Sequence, residues 1–288
     1  MNEPDIWIVT ALSIEARPLI DGWGLRRMDD LGRFERWQGD AYGLIVSGVG
    51  PTASAAATAA LLTHRASLQQ SLPLVVNLGF AGSRNRDQAI GELVLVNRVR
   101  AVDAQREFIP EILFRHELPE GSLGTHSRPV IQPEPGVVET DLVDMEAAGF
   151  LEAARAFLPI HRAQVIKLVS DHLDGRPIDK AALQAHLKDQ LETIELVIAA
   201  AASMENTACP RLDAALQVAF DALRERCRLT DAQSSQVHDW LIAAMLRGQP
   251  TTEAQTALEA VIAAPPAHKR ERNALVEHLR DALKPGVE

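Results

Sequence analysis

Residues 44–64 read LIVSGVGPTASAAATAALLTH, and they set the frame for the rest of the chain. Leu44 to Ser47 is an apolar run with the pattern of a buried strand. It ends in Gly48-Val49-Gly50-Pro51. Thr52 to His64 is rich in alanine, the strongest helix former. Pro51 then falls in the first helical turn, where its missing N–H costs little. Strand, glycine turn and helix form one unit.

The same alternation recurs on both sides. Upstream, Ile6 to Thr10 (IWIVT) reads as a buried strand, and a helix follows with Ser13 as its N-cap. Gly39 and Gly43 bracket a turn. Downstream, Leu74 to Leu78 is a strand followed by a second glycine turn, Gly79-Phe80-Ala81-Gly82. Leu93 to Val96 is a strand, and Pro110 to Pro135 is loop with room for one short strand. Met145 to Phe157 is a helix. Gln164 to Val169 is a strand closing on Ser170-Asp171, and Asp179 to Met204 is one long helix. This order predicts an α/β fold with a largely parallel sheet covered on both faces. Ligands of such sheets sit at the carboxyl ends of the strands.

After about residue 206 no strand signal remains. Pro210 to Cys227, Asp231 to Leu246, Thr252 to Ala263 and Lys269 to Leu283 carry helical periodicity, with Thr230 as a cap for the second. Gly248-Gln249-Pro250 and Pro265-Pro266 break them. The chain therefore reads as an α/β domain over residues 1–205 and an all-helical C-terminal domain over residues 206–288.

Bulk composition narrows the partners. The net charge of −10 repels phosphate backbones and anionic lipid, so neither nucleic acid nor membrane is an expected partner. Cys209 and Cys227 fit no zinc ligand spacing, and no metal is expected. No signal peptide and no bilayer-length apolar run is visible, which gives a cytoplasmic expectation.

Three acids stand out by position: Glu15 after the first strand, Glu146 at a helix start and Asp171 after a strand. Each has an ordinary structural reading. An acid at a helix start favours the helix dipole, and Ser-Asp after a strand caps the next helix. Ser47-Gly48-Val49-Gly50 can hold an anion on backbone N–H groups or simply turn the chain. It is neither a Walker loop nor a dinucleotide fingerprint.

Taken in order, the motifs say more. The strand with Glu15, SGVG (47–50), NLGFAG (77–82), IGELVLVNRVRAVDA (90–104), VDMEAAG (143–149) and VIKLVSDHLDG (165–175) together resemble the methylthioadenosine/S-adenosylhomocysteine nucleosidases and their relatives. These belong to the nucleoside phosphorylase and nucleosidase superfamily. The resemblance spans residues 5 to 204. It implies a three-layer α/β fold around a central mixed sheet, with no cofactor and a homodimer or larger assembly. It also implies cleavage of the N-glycosidic bond of a purine nucleoside. Asp171 matches the acid that protonates N7 of the departing purine, and Ser170 the residue that holds it. Glu146 matches the glutamate on the ribose hydroxyls and Met145 the methionine against the sugar. Glu15 matches the glutamate that orients the attacking water. Ser47, Gly79, Phe80 and Lys167 complete the implied substrate-binding set.

The chain also departs from that pattern. Phe80 stands where the family has serine, Lys167 where it has arginine, and Asp144 where it has glutamate. The segment before Met145 is short, leaving Thr125 to Val130 as the base-contacting stretch, with His126, Ser127 and Arg128 as candidates. An open pocket suits a nucleoside other than methylthioadenosine, such as one with a bulky 5′ group. The phosphorylase arginine is absent from Val76-Asn77-Leu78, which favours hydrolysis. Arg84 and Arg86 are the remaining phosphate candidates. Two alternatives stay open: phosphorolysis, and a non-catalytic nucleoside-binding or scaffold protein.

Overall fold

The run at Ile6–Thr10 forms strand β1, and its two neighbours are the other apolar runs of the first half. β1 pairs in parallel with β4 (Tyr42–Val46) on one side and with β5 (Leu74–Ser83) on the other. The computed structural model describes residues 3–68, 70–133, 138–203, 212–246, 251–263, 265–266 and 268–283. The chain divides into two compact units, Met1–Met204 and Glu205–Glu288.

Beyond β4 the sheet continues antiparallel through β3 (Phe34–Gln38) to β2 (Arg26–Leu31). Beyond β5 it turns back on itself. β5 pairs with β10 (Ala163–Asp171), β10 with β6 (Leu93–Ala101), β6 with β8 (Glu120–Thr125) and β8 with β9 (Leu142–Asp144). β9 then pairs with the far end of β5. These five strands form a closed ring. The short β7 (Arg106–Phe108) pairs with β6.

The expectation of a largely parallel sheet needs correction. Among the described residues five strand pairings are parallel and five antiparallel. The short connections at 32–33 and 39–41 force β2, β3 and β4 to run antiparallel, since a parallel neighbour needs a long crossover.

A second correction concerns Gly79 to Gly82. These residues do not turn; they continue β5 and pair with Lys167 to Asp171 of β10. Their glycines answer to crowding. A Cβ on Gly79 would lie 2.8 Å from Glu15 Oε1, and one on Gly82 would strike Leu173.

Alternation along the strands feeds two apolar clusters. Val9, Ile45, Val75, Val165 and Val169 join Ala57, Leu61, Phe150 and Leu151 from helices α2 (Pro51–Ser67) and α3 (Ala147–Ala154). Ile8, Leu44, Val76, Ile166 and Leu168 join Leu19, Leu183, Leu187 and Ile194. The latter come from α1 (Ser13–Gly22), α4 (Lys180–Asp189) and α5 (Leu191–Ser203). Each fully buried aliphatic chain contributes roughly 1.5–3 kcal/mol.

Helix ends differ from expectation in three places. The N-cap of α1 is Leu12 rather than Ser13, because the Glu15 carboxylate folds back onto the free N–H groups. The expected 145–157 helix starts at Ala147 and ends at Ala154. The expected long helix is two, separated at Gln190. α2 begins where foreseen, with Gly50 at φ 107° and Pro51 in its first turn. Gly149 lets α3 press onto that first turn, and a Cβ there would collide with the Pro51 carbonyl.

The second unit consists, among the described residues, of α6 (Ala214–Cys227), α7 (Asp231–Leu246), α8 (Thr251–Ala263) and α9 (Lys269–Ala282). They share a core of Leu216, Leu223, Val237, Leu241, Leu258 and Leu279. Thr230 Oγ1 accepts from Gln233 N while Gln233 Oε1 accepts from Thr230 N, a reciprocal capping box. Cys227 is buried. Cys209, Pro210 and the expected break at 248–250 lie outside the described residues. Among the described residues no helix is long and apolar enough to cross a membrane, and no cluster of potential metal ligands is present.

Candidate active site

Glu15 sits in the first turn of α1, just beyond the end of β1. Its Oε2 accepts from the N–H groups of Ala11 (2.8 Å) and Leu12 (2.9 Å), and its Oε1 from Phe80 N (2.9 Å). One carboxylate thus ties together β1, α1 and β5. It is 4% exposed. Burial pushes its pKa up, against the pull of those N–H donors and of Lys167.

The 47–50 turn holds a carboxyl group of the protein's own, that of Glu146. Gly48 and Gly50 take positive φ, and Gly50 N donates to Glu146 Oε1 at 2.9 Å. Ser47 is buried, its single hydroxyl proton within reach of the carbonyls of Gly48 (2.8 Å) and Thr10 (3.1 Å). Met145 N donates to Glu146 Oε2 (3.3 Å). Burial raises the pKa of Glu146 to about 7, with Asp144 adding repulsion and Lys167 opposing it.

Lys167 lies at the middle of β10 and is 1% exposed. Its Nζ donates to Asn77 Oδ1 (2.7 Å) and pairs with Asp144 Oδ2 (2.8 Å). Asp144 in turn accepts from Thr125 Oγ1 (2.7 Å) and from Ala147 N (2.9 Å). Asn77, Thr125, Asp144 and Lys167 come from β5, β8, β9 and β10, four of the five strands of the ring. Two departures noted in the sequence are therefore one contact, a shorter cation on a shorter acid.

Asp171 ends β10 half-buried. Its Oδ2 accepts from Ser170 Oγ (2.7 Å) and its Oδ1 from Leu173 N (2.8 Å). Together with Met145, Gly82 and Leu173 it lines a cleft of about 270 Å³ whose apolar wall includes Val130 and Ile131. Glu15, Glu146 and Lys167 are not among the residues lining that cleft. Phe80 places its N–H on Glu15 and its ring against the second apolar cluster.

The sequence put the base-contacting stretch at Thr125 to Val130, with His126, Ser127 and Arg128 as its candidates. Ser127 is instead tied to Asp103, and His126 N to the Asp144 carbonyl. The cleft wall comes from the last two residues of that stretch, Pro129 and Val130, together with Ile131 and Ile178. Ile131 and Ile178 are both exposed, an apolar rim suited to a flat aromatic ligand. The signal available was the apolar Pro-Val-Ile run inside a polar loop.

The late-ionising Glu146 makes stability depend on pH. In the unfolded chain it ionises near 4.5, in the folded chain near 7, so between these values the folded state binds more protons. Stability from this group is full below pH 4.5 and declines as pH rises to 7. The loss is on the order of 3 kcal/mol. Urea unfolding at stepped pH should show Glu146→Gln with a flatter profile than wild type across that window. Parallel profiles would contradict the buried setting of Glu146.

No protein-family model and no curated protein matches the chain. Solved structures do. The 5′-methylthioadenosine nucleosidase of Arabidopsis thaliana in its apo form aligns at 21% identity with a TM-score of 0.55, over 71% of this chain and 98% of that one. The Helicobacter pylori 5′-methylthioadenosine/S-adenosylhomocysteine nucleosidase aligns at 16% identity and 0.53, over 70% and 99%. Futalosine hydrolase of Helicobacter pylori aligns at 18% identity and 0.52, over 69% and 97%. At such identities the likeness speaks for architecture alone, and the chain shares its fold with these nucleosidase and hydrolase structures.

Proposed function

We propose that the α/β unit hydrolyses the N-glycosidic bond of a purine nucleoside. The observation that carries this is the order of carboxylates along one strand. Glu15 meets β5 at Gly79 and Phe80, and Asp171 meets it at Gly82. At about 3.3 Å per residue the two lie roughly 7–10 Å apart, room for a sugar between attacking water and departing base. In this reading the sheet and its helices form the three-layer core of such an enzyme.

Asp171, held by Ser170, gives a proton to N7 so that the base leaves neutral. Glu146 takes the ribose hydroxyls, and Met145 lies against the sugar. Glu15 accepts the proton of the water that adds to C1′, its raised pKa suiting a base. Gly79 and Phe80 set Glu15 in place through backbone, and Ser47 fixes the turn that holds Glu146. Lys167 works from beneath through Asp144 rather than by touching substrate.

Hydrolysis is favoured over phosphorolysis. Asn77 stands in the phosphorylase arginine position, with its side chain spent on Lys167 and on the Val9 carbonyl. Glu15 beside it would repel phosphate. A panel of purine nucleosides should release free base and free sugar at the same rate with and without inorganic phosphate. Strict phosphate dependence, with sugar 1-phosphate as product, would reverse this assignment.

A further inference from the structure

Next to the cleft that holds Asp171 lies a second, polar cleft of about 460 Å³, and the two share Leu173 and Arg176. Arg84, Arg86 and His172 also line it. Its described lining residues carry three guanidinium groups against one carboxylate, Asp174. That carboxylate takes Arg176 through Nε at 3.1 Å. Arg84 donates one terminal N–H to the Val138 carbonyl (3.0 Å). The Nδ1 of His172 is buried without a hydrogen-bond partner.

The wall of this cleft is built. Gln132 N donates to the Leu173 carbonyl (2.7 Å), and Gln132 Nε2 to the Asp174 carbonyl (2.9 Å). Leu173 and Gly175 take positive φ to make the turn. In a chain of net charge −10, three arginines gathered at one opening make a local positive field that attracts an anion. Guanidinium groups hold carboxylate and phosphate through paired N–H bonds.

The position decides which anion. The cluster stands at the Gly82 and Asp171 end of β5, away from the Gly79 end where Glu15 sits. A phosphate nucleophile is needed at the opposite face of the sugar, so these arginines are misplaced for it. We propose that this cleft receives an oxyanion carried on the base of the nucleoside, at the purine edge that Asp171 protonates. The proposal rests on the nucleosidase reading for the orientation of the substrate.

Binding tests it without requiring turnover. The probes are N6-succinyladenosine, with carboxylates on the base, then adenosine, adenosine 5′-monophosphate and inorganic phosphate. Isothermal titration of wild type should give N6-succinyladenosine about tenfold tighter binding than adenosine, a gain that shrinks in added salt. In the Arg86→Ala/Arg176→Ala protein the ratio of the two dissociation constants should fall to about one. The proposal is overturned by a wild-type ratio near one, or by a ratio that survives the double substitution. It is also overturned if adenosine 5′-monophosphate gains as much, or if inorganic phosphate alone binds as tightly. Adenosine bound but never cleaved would sink the hydrolase reading alone; base release with no preference for the anionic probe would sink this one alone. If none of the nucleosides binds, both fail.

Discussion

Replacing Asp171 by Asn slows base release from a purine nucleoside by about 10²–10⁴-fold, the usual share of a general acid. The substitution keeps the shape of the side chain. Its carbonyl can still accept from Leu173 N, and Ser170 can rotate to accept from the new amide, so the end of β10 holds its form. What the amide cannot do is supply a proton to a purine whose ring nitrogen becomes basic as the C–N bond breaks. Unfolding midpoints of the two proteins should agree while their rates differ. Rates that are equal and well above background would remove Asp171 from the chemistry. Rates that are equal and at background would favour the nucleoside-binding alternative over the enzyme.

Lys167→Met carries the largest expected loss of stability, about 3–5 kcal/mol. Methionine fills the space of the lysine stem and brings no charge. Asp144 is then buried without its cation, beside Glu146 and with Glu15 nearby. Asn77 Oδ1 loses its donor as well. Glu146 ionises later still, because Lys167 is the charge that opposes its upward shift. Removing the stranded acid should return part of the loss, so Lys167→Met/Asp144→Asn should be more stable than Lys167→Met alone. A double-mutant cycle from urea unfolding reads the coupling directly. A single-variant loss below about 1 kcal/mol would mean that the ion pair does not hold the ring together.

Much of this was legible along the chain, and the misses share a cause. Ile6–Thr10, Leu44–Ser47 and Leu74–Leu78 have side chains buried on both faces, so their sequence is mostly apolar, with Asn77 the polar residue inside the third run. β2 reads RRMDDL because both of its faces meet solvent, and no pattern of burial marks it. Gly79 and Gly82 read as a turn because glycine in a sequence does not say whether it bends the chain or clears room. Only Glu15 and Leu173 pressing from across reveal the second reason. Lys167 within VIKLV carried a clue, a lone cation in a wholly apolar strand, yet its partner Asp144 is brought to it only by ring closure. The roles proposed for Glu15, Glu146 and Asp171 rest on motif order, and their burial and hydrogen bonds are seen in the structure.

Ring closure also sets an order on synthesis. β5 leaves the ribosome early, but Val75 waits for Ala163 and Gly82 waits for Val143 before its edges are covered. Until residue 171 has emerged, β5 and β6 each lack the neighbour that β10 provides, and open strand edges invite pairing with other chains. A chain halted before β10 should therefore aggregate rather than persist as a smaller domain. Asp171 is the last residue of the last strand among the described residues, so the nascent protein gains its closed barrel and its proposed acid in the same event.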